Sequence, residues 1–318
     1  MEQSRKFDKH VDILNRYREI KLSERKYLHI PQLTRMKVEE QFLSYYLGSV
    51  PKWRLLLRRL ISEKRIQPNF AIVGPIKSGS TDLSSHLLLH PNIMPPLAKE
   101  FALDDREMWR IYYPREIEKE KLLNKTQYVK TGYFAPDMHN LRLIDGLHKI
   151  SPDTKIIIIL RDPVERAWSH WKWEVFLAGK KVRENTILQE FSKFVKFSLD
   201  IFPYCPTYSY CNFPLLQTGI YHKAVELWLN RFGEDNVLVL NIGEYFSDRQ
   251  PFLEQVQEFL DIPVVDIPAS RKKINENPLK LGEADIETLT ALDSFYRPEN
   301  EKLFELIKKD FNWHLKTC

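Results

Sequence analysis

Cysteine is scarce in this chain: Cys205, Cys211 and Cys318 are the three in 318 residues. They make no CxxC or Cys/His spacing of the kind that holds zinc, which excludes a structural zinc module. Cys205 and Cys211 bracket the aromatic loop YCPTYSYC. Two readings stay open there, a small disulfide in an oxidising compartment or two free thiols. Long apolar runs are also missing. None approaches the ~18 residues of a membrane helix, and charges run through the first 30 residues, so neither a span nor a cleavable signal is expected. Internal repeats and low-complexity segments are lacking. So is a strong charge of one sign: 48 Lys and Arg against 43 Asp and Glu leave +5, which favours anionic partners only weakly.

What is present describes a globular protein. Hydrophobic residues at 43% and charged residues at 29% exclude a disordered or fibrous chain, and the length suits one or two domains. Residues 1–66 are charged, glycine-poor apart from Gly48, and helical in pattern, and read as an extension ahead of a domain over 67–318. Within them PKWRLLLRRLISEKR (Pro51–Arg65) sets Trp53, Leu56, Leu57, Leu60 and Ile61 against Arg54, Arg58, Arg59, Lys64 and Arg65. Such a helix can lie on a membrane surface or a polyanion. The commoner arrangement packs the stripe on the domain, and that is the expectation.

Beyond Pro68 the texture changes. Phe70–Val73 is a short β-type run, while KIIIIL (Lys155–Leu160) and NVLVLNI (Asn236–Ile242) are continuous apolar runs of the kind covered on both faces. Helical patterns over Thr81–His90, Leu141–Lys149, Pro163–Leu177, Gln217–Arg231 and Pro251–Leu260 separate them. The alternation predicts an α/β fold, a P-loop-like central parallel sheet with helices on both faces. Ligands of such sheets sit outside the carboxyl ends of the strands. The loops Gly74–Thr81 and Arg161–Asp162 therefore point to one cleft.

The first loop lies in VGPIKSGSTDL (Val73–Leu83). Backbone N–H groups and the dipole at a helix N-terminus make an anion site, and Gly79 lets the backbone come close. Ser80 and Thr81 add hydroxyls, and Lys77 reaches the far end of the bound group. The ATP-type pattern GxxxxGK[ST] is absent, because no lysine follows Gly79. By itself such a loop is also compatible with a plain strand-to-helix turn. The second loop opens RDPVERAWSHW (Arg161–Trp171), where Arg161 and Ser169 can clamp a phosphate, or where Arg and Asp merely cap a helix. His86, His90, His170 and His222 offer no matched metal-ligand set and read as surface or packed side chains.

Taken together these stretches resemble a known family. GPIKSGSTDL is similar to the 5′-phosphosulfate loop of sulfotransferases, and RDPVERAWSHW to their 3′-phosphate motif. LAKEFALDD (Leu97–Asp105) resembles the lysine–glutamate segment of the heparan and chondroitin branch, and YVKTGYF (Tyr128–Phe134) its KTPAYF stretch, with glycine where that stretch has proline. LQTGIYHKAVELWLNRFGEDNVLVLNIGEYFSD resembles the helix-and-strand return, and SRKKINENP the basic loop over the nucleotide, without its usual glycine. TDL and FYRPENEKLFELI lean towards the N-acetylgalactosamine 4-sulfate 6-O-sulfotransferase kind. The likeness runs from about residue 68 to 313.

The resemblance implies 3′-phosphoadenosine 5′-phosphosulfate as sulfuryl donor, adenosine 3′,5′-bisphosphate as product, and no metal. It implies a carbohydrate acceptor, polyanionic and glycosaminoglycan-like, with no nucleic acid as partner and no membrane span in this chain. The residues themselves leave a glycosaminoglycan, another glycan or a small alcohol open, and the aromatic and basic residues of WKWEVFLAGKK and CPTYSYC either line a sugar groove or are core and solvated face. The compartment is the cytoplasm for a native chain of this extent, or the Golgi lumen for a trimmed luminal domain. By resemblance the nucleotide is bound by Lys77, Ser78, Gly79, Ser80, Thr81, Arg161, Ser169, Tyr221, Arg271, Lys272 and Lys273. Glu100 is the general base, ahead of Asp104 and Asp105, and Lys77 and Lys130 complete the catalytic set by keeping that carboxylate ionised. Two other functions remain open: a P-loop nucleoside-triphosphate kinase, with Asp162 as metal ligand, and a non-catalytic polyanion-binding module using the basic N-terminal helix.

Overall fold

The apolar runs pair side by side. In a computed structural model, which describes residues 50, 52–61, 64–99, 101, 103, 108–184, 187–203, 214–267 and 281–313, four strands form one parallel sheet. They are β1 (Phe70–Val73), β2 (Gly132–Ala135), β3 (Lys155–Leu160) and β4 (Val237–Asn241), in the order β2-β1-β3-β4. Phe70 stands opposite Gly132 on one side and Lys155 on the other. The helices are α1 (Lys52–Leu60), α2 (Ser80–Leu87), α3 (Glu116–Leu123), α4 (Leu141–Ile150), α5 (Pro163–Glu184), α6 (Phe191–Ile201), α7 (His222–Phe232), α8 (Ile242–Ser247), α9 (Arg249–Phe259) and α10 (Ile286–Ile307). Glu100, Asp104, Asp105, Cys205, Cys211, Cys318 and Arg271–Lys273 lie outside the described residues, as do residues 1–49.

Both faces of the sheet are covered, and the side-chain alternation says how. Ala71, Val73, Ile156, Ile158 and Leu160 pack with Leu143 and Leu147 of α4 and Val225 and Trp228 of α7. Phe70, Ile72, Ile157 and Ile159 pack on the opposite side with Leu83 and Leu87 of α2 and Leu253 and Val256 of α9. Burying each such aliphatic side chain contributes about 1.5–3 kcal/mol, so the strands are fixed in register by two cores at once. A third cluster joins Val164, Ala167 and Trp171 of α5 to Phe191 and Phe194 of α6 and to Leu292 and Tyr296 of α10. It holds α5 beside the carboxyl ends of β1 and β3.

Several boundaries differ from those expected. The helix after the first loop is Ser80–Leu87 rather than Thr81–His90, and α5 runs on to Glu184. The segment Gln217–Arg231 divides into a 3-10 turn, Gln217–Gly219, and α7. The short strand β2 carries Gly132 because a Cβ there would lie 2.5 Å from the Phe70 ring, which stacks edge-on to Phe134. The largest departure is α1. Its stripe does not pack on the domain: Trp53, Leu56, Leu57, Leu60 and Ile61 are 42% to 72% exposed. The polar face docks instead, Arg58 donating to the carbonyls of Ile111 and Tyr113 at 2.6 Å each. Those carbonyls end a 3-10 turn (Met108–Tyr112) and need donors, which a guanidinium supplies and an apolar stripe does not.

Candidate active site

The loop after β1 is built for close approach. Gly79 caps α2 in the left-handed region (φ 89°), and a Cβ on it would lie 2.7 Å from the Ile242 side chain. Lys77 also takes a positive φ, 68°, a conformation a branched or bulky chain adopts only under constraint. The helical ladder begins with Asp82, whose N–H donates to the Gly79 carbonyl, so the N–H groups of Gly79, Ser80 and Thr81 precede it. Among the described residues no side chain caps this end, and the buried Ser78 Oγ has no hydrogen-bond partner. Together these make an anion-seeking concavity at the carboxyl end of β1.

Helix α5 supplies the wall. Arg161 follows β3, its guanidinium donating to Glu165 at 3.2 Å in a largely exposed pair. Asp162 Oδ1 accepts the Val164 N–H at 2.8 Å and so caps α5; burial pushes this carboxyl up to about 6. That capping role is not the poise of a metal-holding aspartate. Tyr221, buried at the start of α7, donates its hydroxyl to the Arg161 carbonyl at 2.9 Å. It thereby ties the strand-end loop to the start of α7. Glu165, Ser169 and Trp173 are four apart on one helical face, and Lys77 Nζ sits 4.5 Å from the Trp173 ring centroid. Ser169, partly buried, therefore lies between the Arg161 end of the site and the Lys77 end.

The electrostatics are lopsided. Lys77 is pushed down to about 8, first by burial and then by Arg161, Lys172 and Lys99, while among the described residues Glu174 favours its charge. Lys99 is itself buried, its Nζ donating to Thr81 Oγ1 at 2.6 Å. Lys172 is lowered by burial and by Arg161. Four cations thus converge on a helix N-terminus. Beneath them a buried ladder climbs α5: Arg166 Nη1 donates to His170 Nδ1 at 3.2 Å, and His170 Nε2 donates to Glu174 Oε1 at 3.2 Å. That direction of donation requires neutral His170, in keeping with burial lowering its pKa.

The structure brings together Lys77, Ser78, Gly79, Ser80, Thr81, Arg161, Ser169 and, as support, Tyr221. It does not bring Lys130. That residue precedes β2 and lies at the amino end of the sheet, pairing with Asp261 at 4.0 Å close to Lys155. The four residues of β1 rise about 13 Å between the two ends, too far for Lys130 to hold a carboxylate beside Lys77 in its ionised form. The expectation failed because KTGYF shows type and order but not which end of the strand the lysine meets. Lys99 was given no role, and Lys172 and Trp173 were read only within WKWEVFLAGKK, as sugar-groove lining or as core and solvated face, not as part of the anion site. The signal for the last two was present, since Lys172 and Trp173 fall on the Glu165–Ser169 face of an Arg161-led helix. Lys99 had only its place before Glu100 to mark it.

A family model described as a sulfotransferase domain matches residues 67–279. The chain belongs to the sulfotransferase domain family. Heparan sulfate glucosamine 3-O-sulfotransferase 5 of Homo sapiens is 24% identical over 298 residues, covering 84% of this chain and 79% of that protein. The membrane-associated sulfotransferase kil1 of Dictyostelium discoideum is 22% identical over 325 residues, covering 77% and 66%. Heparan sulfate glucosamine 3-O-sulfotransferase 3B1 of Homo sapiens is 26% identical over 272 residues, covering 77% and 65%. The chain thus spans about two thirds of the last two. A solved sulfotransferase from Alicyclobacillus acidocaldarius, 22% identical, superposes with a TM-score of 0.56 over 78% of this chain and 99% of that one, a likeness of fold. In the present sulfotransferase domain the loop after β1 and the α5 wall fall inside the matched residues.

Proposed function

We propose that this domain moves a sulfuryl group from 3′-phosphoadenosine 5′-phosphosulfate to a hydroxyl of a glycosaminoglycan-like carbohydrate. The observation that carries the reading is the convergence of Lys77, Lys99, Arg161 and Lys172 on the uncapped end of α2, an excess of positive charge that a multiply charged anion would complete. When bound, the donor supplies a sulfuryl group able to leave a 5′-phosphate. The N–H groups of Gly79, Ser80 and Thr81 hold that phosphate, and Lys77 offsets the charge that grows on the bridging oxygen. Arg161 and Ser169 take the 3′-phosphate, Tyr221 fixes the Arg161 loop, and Arg271, Lys272 and Lys273 close over the nucleotide. Glu100, next to Lys99, accepts the proton of the acceptor hydroxyl as its oxygen bonds to sulfur and the bond from sulfur to the 5′-phosphate oxygen breaks. Lys77 and Lys99, not Lys130, keep that carboxylate ionised.

The names of the heparan sulfate relatives favour a glycan acceptor. The test is transfer from labelled donor to desulfated heparan and chondroitin polysaccharides, with a simple alcohol alongside. Label on a polysaccharide is expected; label on the alcohol alone would overturn the acceptor class, and label on none would overturn the activity. Glu100→Gln should cost about 100-fold or more in turnover with nucleotide affinity kept. A nearly active Glu100→Gln beside a dead Asp104→Asn or Asp105→Asn would move the base.

A further inference from the structure

Helix α1 is attached to the domain back to front. At about 100° per residue, Trp53, Leu56, Leu57, Leu60 and Ile61 fill one arc of about 140°. Arg54 borders that arc on one side and Arg59 on the other, and both are exposed. Arg58 and Leu55 face away from it, and Arg58 is the residue hydrogen-bonded to the domain. Arg65 strengthens the mount by donating to the Tyr113 carbonyl at 2.9 Å. The domain therefore holds the helix by its polar side and turns outward an apolar strip in which Trp53 is 67% and Leu60 72% exposed. Single exposed apolar residues need no explanation, but five on one face of one helix do.

We infer that α1 is an interfacial helix that lays this strip into the surface of an anionic lipid bilayer. An amphipathic helix with Trp and Leu on one face and arginines at its borders suits the boundary between headgroups and acyl chains, where guanidinium groups reach outward to phosphate. Charge decides among the possible occupants. Between residues 50 and 65 stand Lys52, Arg54, Arg58, Arg59, Lys64 and Arg65 against the single acid Glu63. A second copy of the chain would bring that same excess against itself. The preceding residues 1–49 carry ten Lys and Arg to seven Asp and Glu, so they do not complement it either. A soluble polyanion would answer the arginines and leave the five apolar side chains in water. Anionic lipid answers both.

The test is sedimentation of the full chain with phosphatidylcholine vesicles, with and without phosphatidylserine. Partition onto the anionic vesicles should exceed that onto neutral ones about tenfold or more and fall with added salt. Leu56→Asn combined with Leu60→Asn, and separately Arg54→Glu combined with Arg59→Glu, should each lower it about tenfold or more. Because these side chains are exposed, thermal melting should match the wild type; should a double variant melt early, Trp53→Ser replaces it with the same expectation. Absence of vesicle binding, or binding that ignores the substitutions, would overturn the inference. So would a dimer in sedimentation velocity that Leu56→Asn with Leu60→Asn abolishes, or heparin binding that persists where vesicle binding does not occur.

Discussion

Lys77, through its burial, gives the site a pH signature. Its ammonium is lowered from 10.5 to about 8, mainly by burial, so in the free enzyme it loses its proton as pH rises through that value. If its charge is needed for transfer, kcat/KM for the sulfuryl donor should fall above pH 8, because that ratio reports the free enzyme. A bound polyanion favours the charged form, so the falling limb of kcat should lie at higher pH. Coincident limbs in a pH-rate series would remove Lys77 from the role. Arg161 offers a second prediction. Glu165 occupies its guanidinium in a largely exposed pair, a weak competitor for phosphate. Glu165→Gln should tighten adenosine 3′,5′-bisphosphate a few-fold by calorimetry, whereas Arg161→Ala should weaken it about tenfold or more, in line with about 1.5–3 kcal/mol for a charged hydrogen bond. These two residues were legible from the sequence because Arg161 directly follows one apolar strand and Lys77 stands in the glycine-bearing loop after another. Lys99 was not: its contact with Thr81 depends on how residues 92–99 run back along the edge of the sheet, where Met94 N–H meets the Lys130 carbonyl.

Helix α5 does two jobs from one surface period. Its Glu165–Ser169–Trp173 row faces the site, and its Arg166–His170–Glu174 row runs buried behind it. The second row was readable as i, i+4, i+8 spacing, yet in the sequence it showed only as a histidine of no metal set, because partners buried on a helix carry no mark of burial. Among the described residues Glu174 favours the charge of Lys77. Glu174→Gln should therefore move the alkaline limb of kcat/KM to lower pH. It should also destabilise the fold by about 1–3 kcal/mol in urea melts, the cost of unmaking a buried hydrogen bond. A normal pH profile in a destabilised variant would leave Glu174 with a role in folding alone. The strand β2 escaped notice for a different reason. Four residues, one of them a glycine, carry too little pattern, and their strand character comes from pairing with β1.

At the scale of the whole molecule, the central strands and the layers over them were open to reading, since continuous apolar runs are buried on both faces. The mount of α1 was not, because amphipathicity tells which face is apolar and not which way it is turned. A ligand that gathers the converging cations should stabilise the domain as a unit. At a hundredfold excess over its Kd, adenosine 3′,5′-bisphosphate should add about 2.7 kcal/mol and raise the melting temperature by several degrees, less so at high salt. A melting curve unmoved by the nucleotide would tell against the donor proposed. The order β2-β1-β3-β4 also has a history in time. The strand that ends in the phosphate loop emerges first from the ribosome, but its neighbours lie at residues 132 and 155, and β4 waits until 237. At about 5–20 residues per second, roughly 8–30 s separate the birth of Val73 from that of the sheet's last strand. Through that interval the apolar run FAIV has no finished sheet to enter, and shielding it falls to whatever receives the nascent chain.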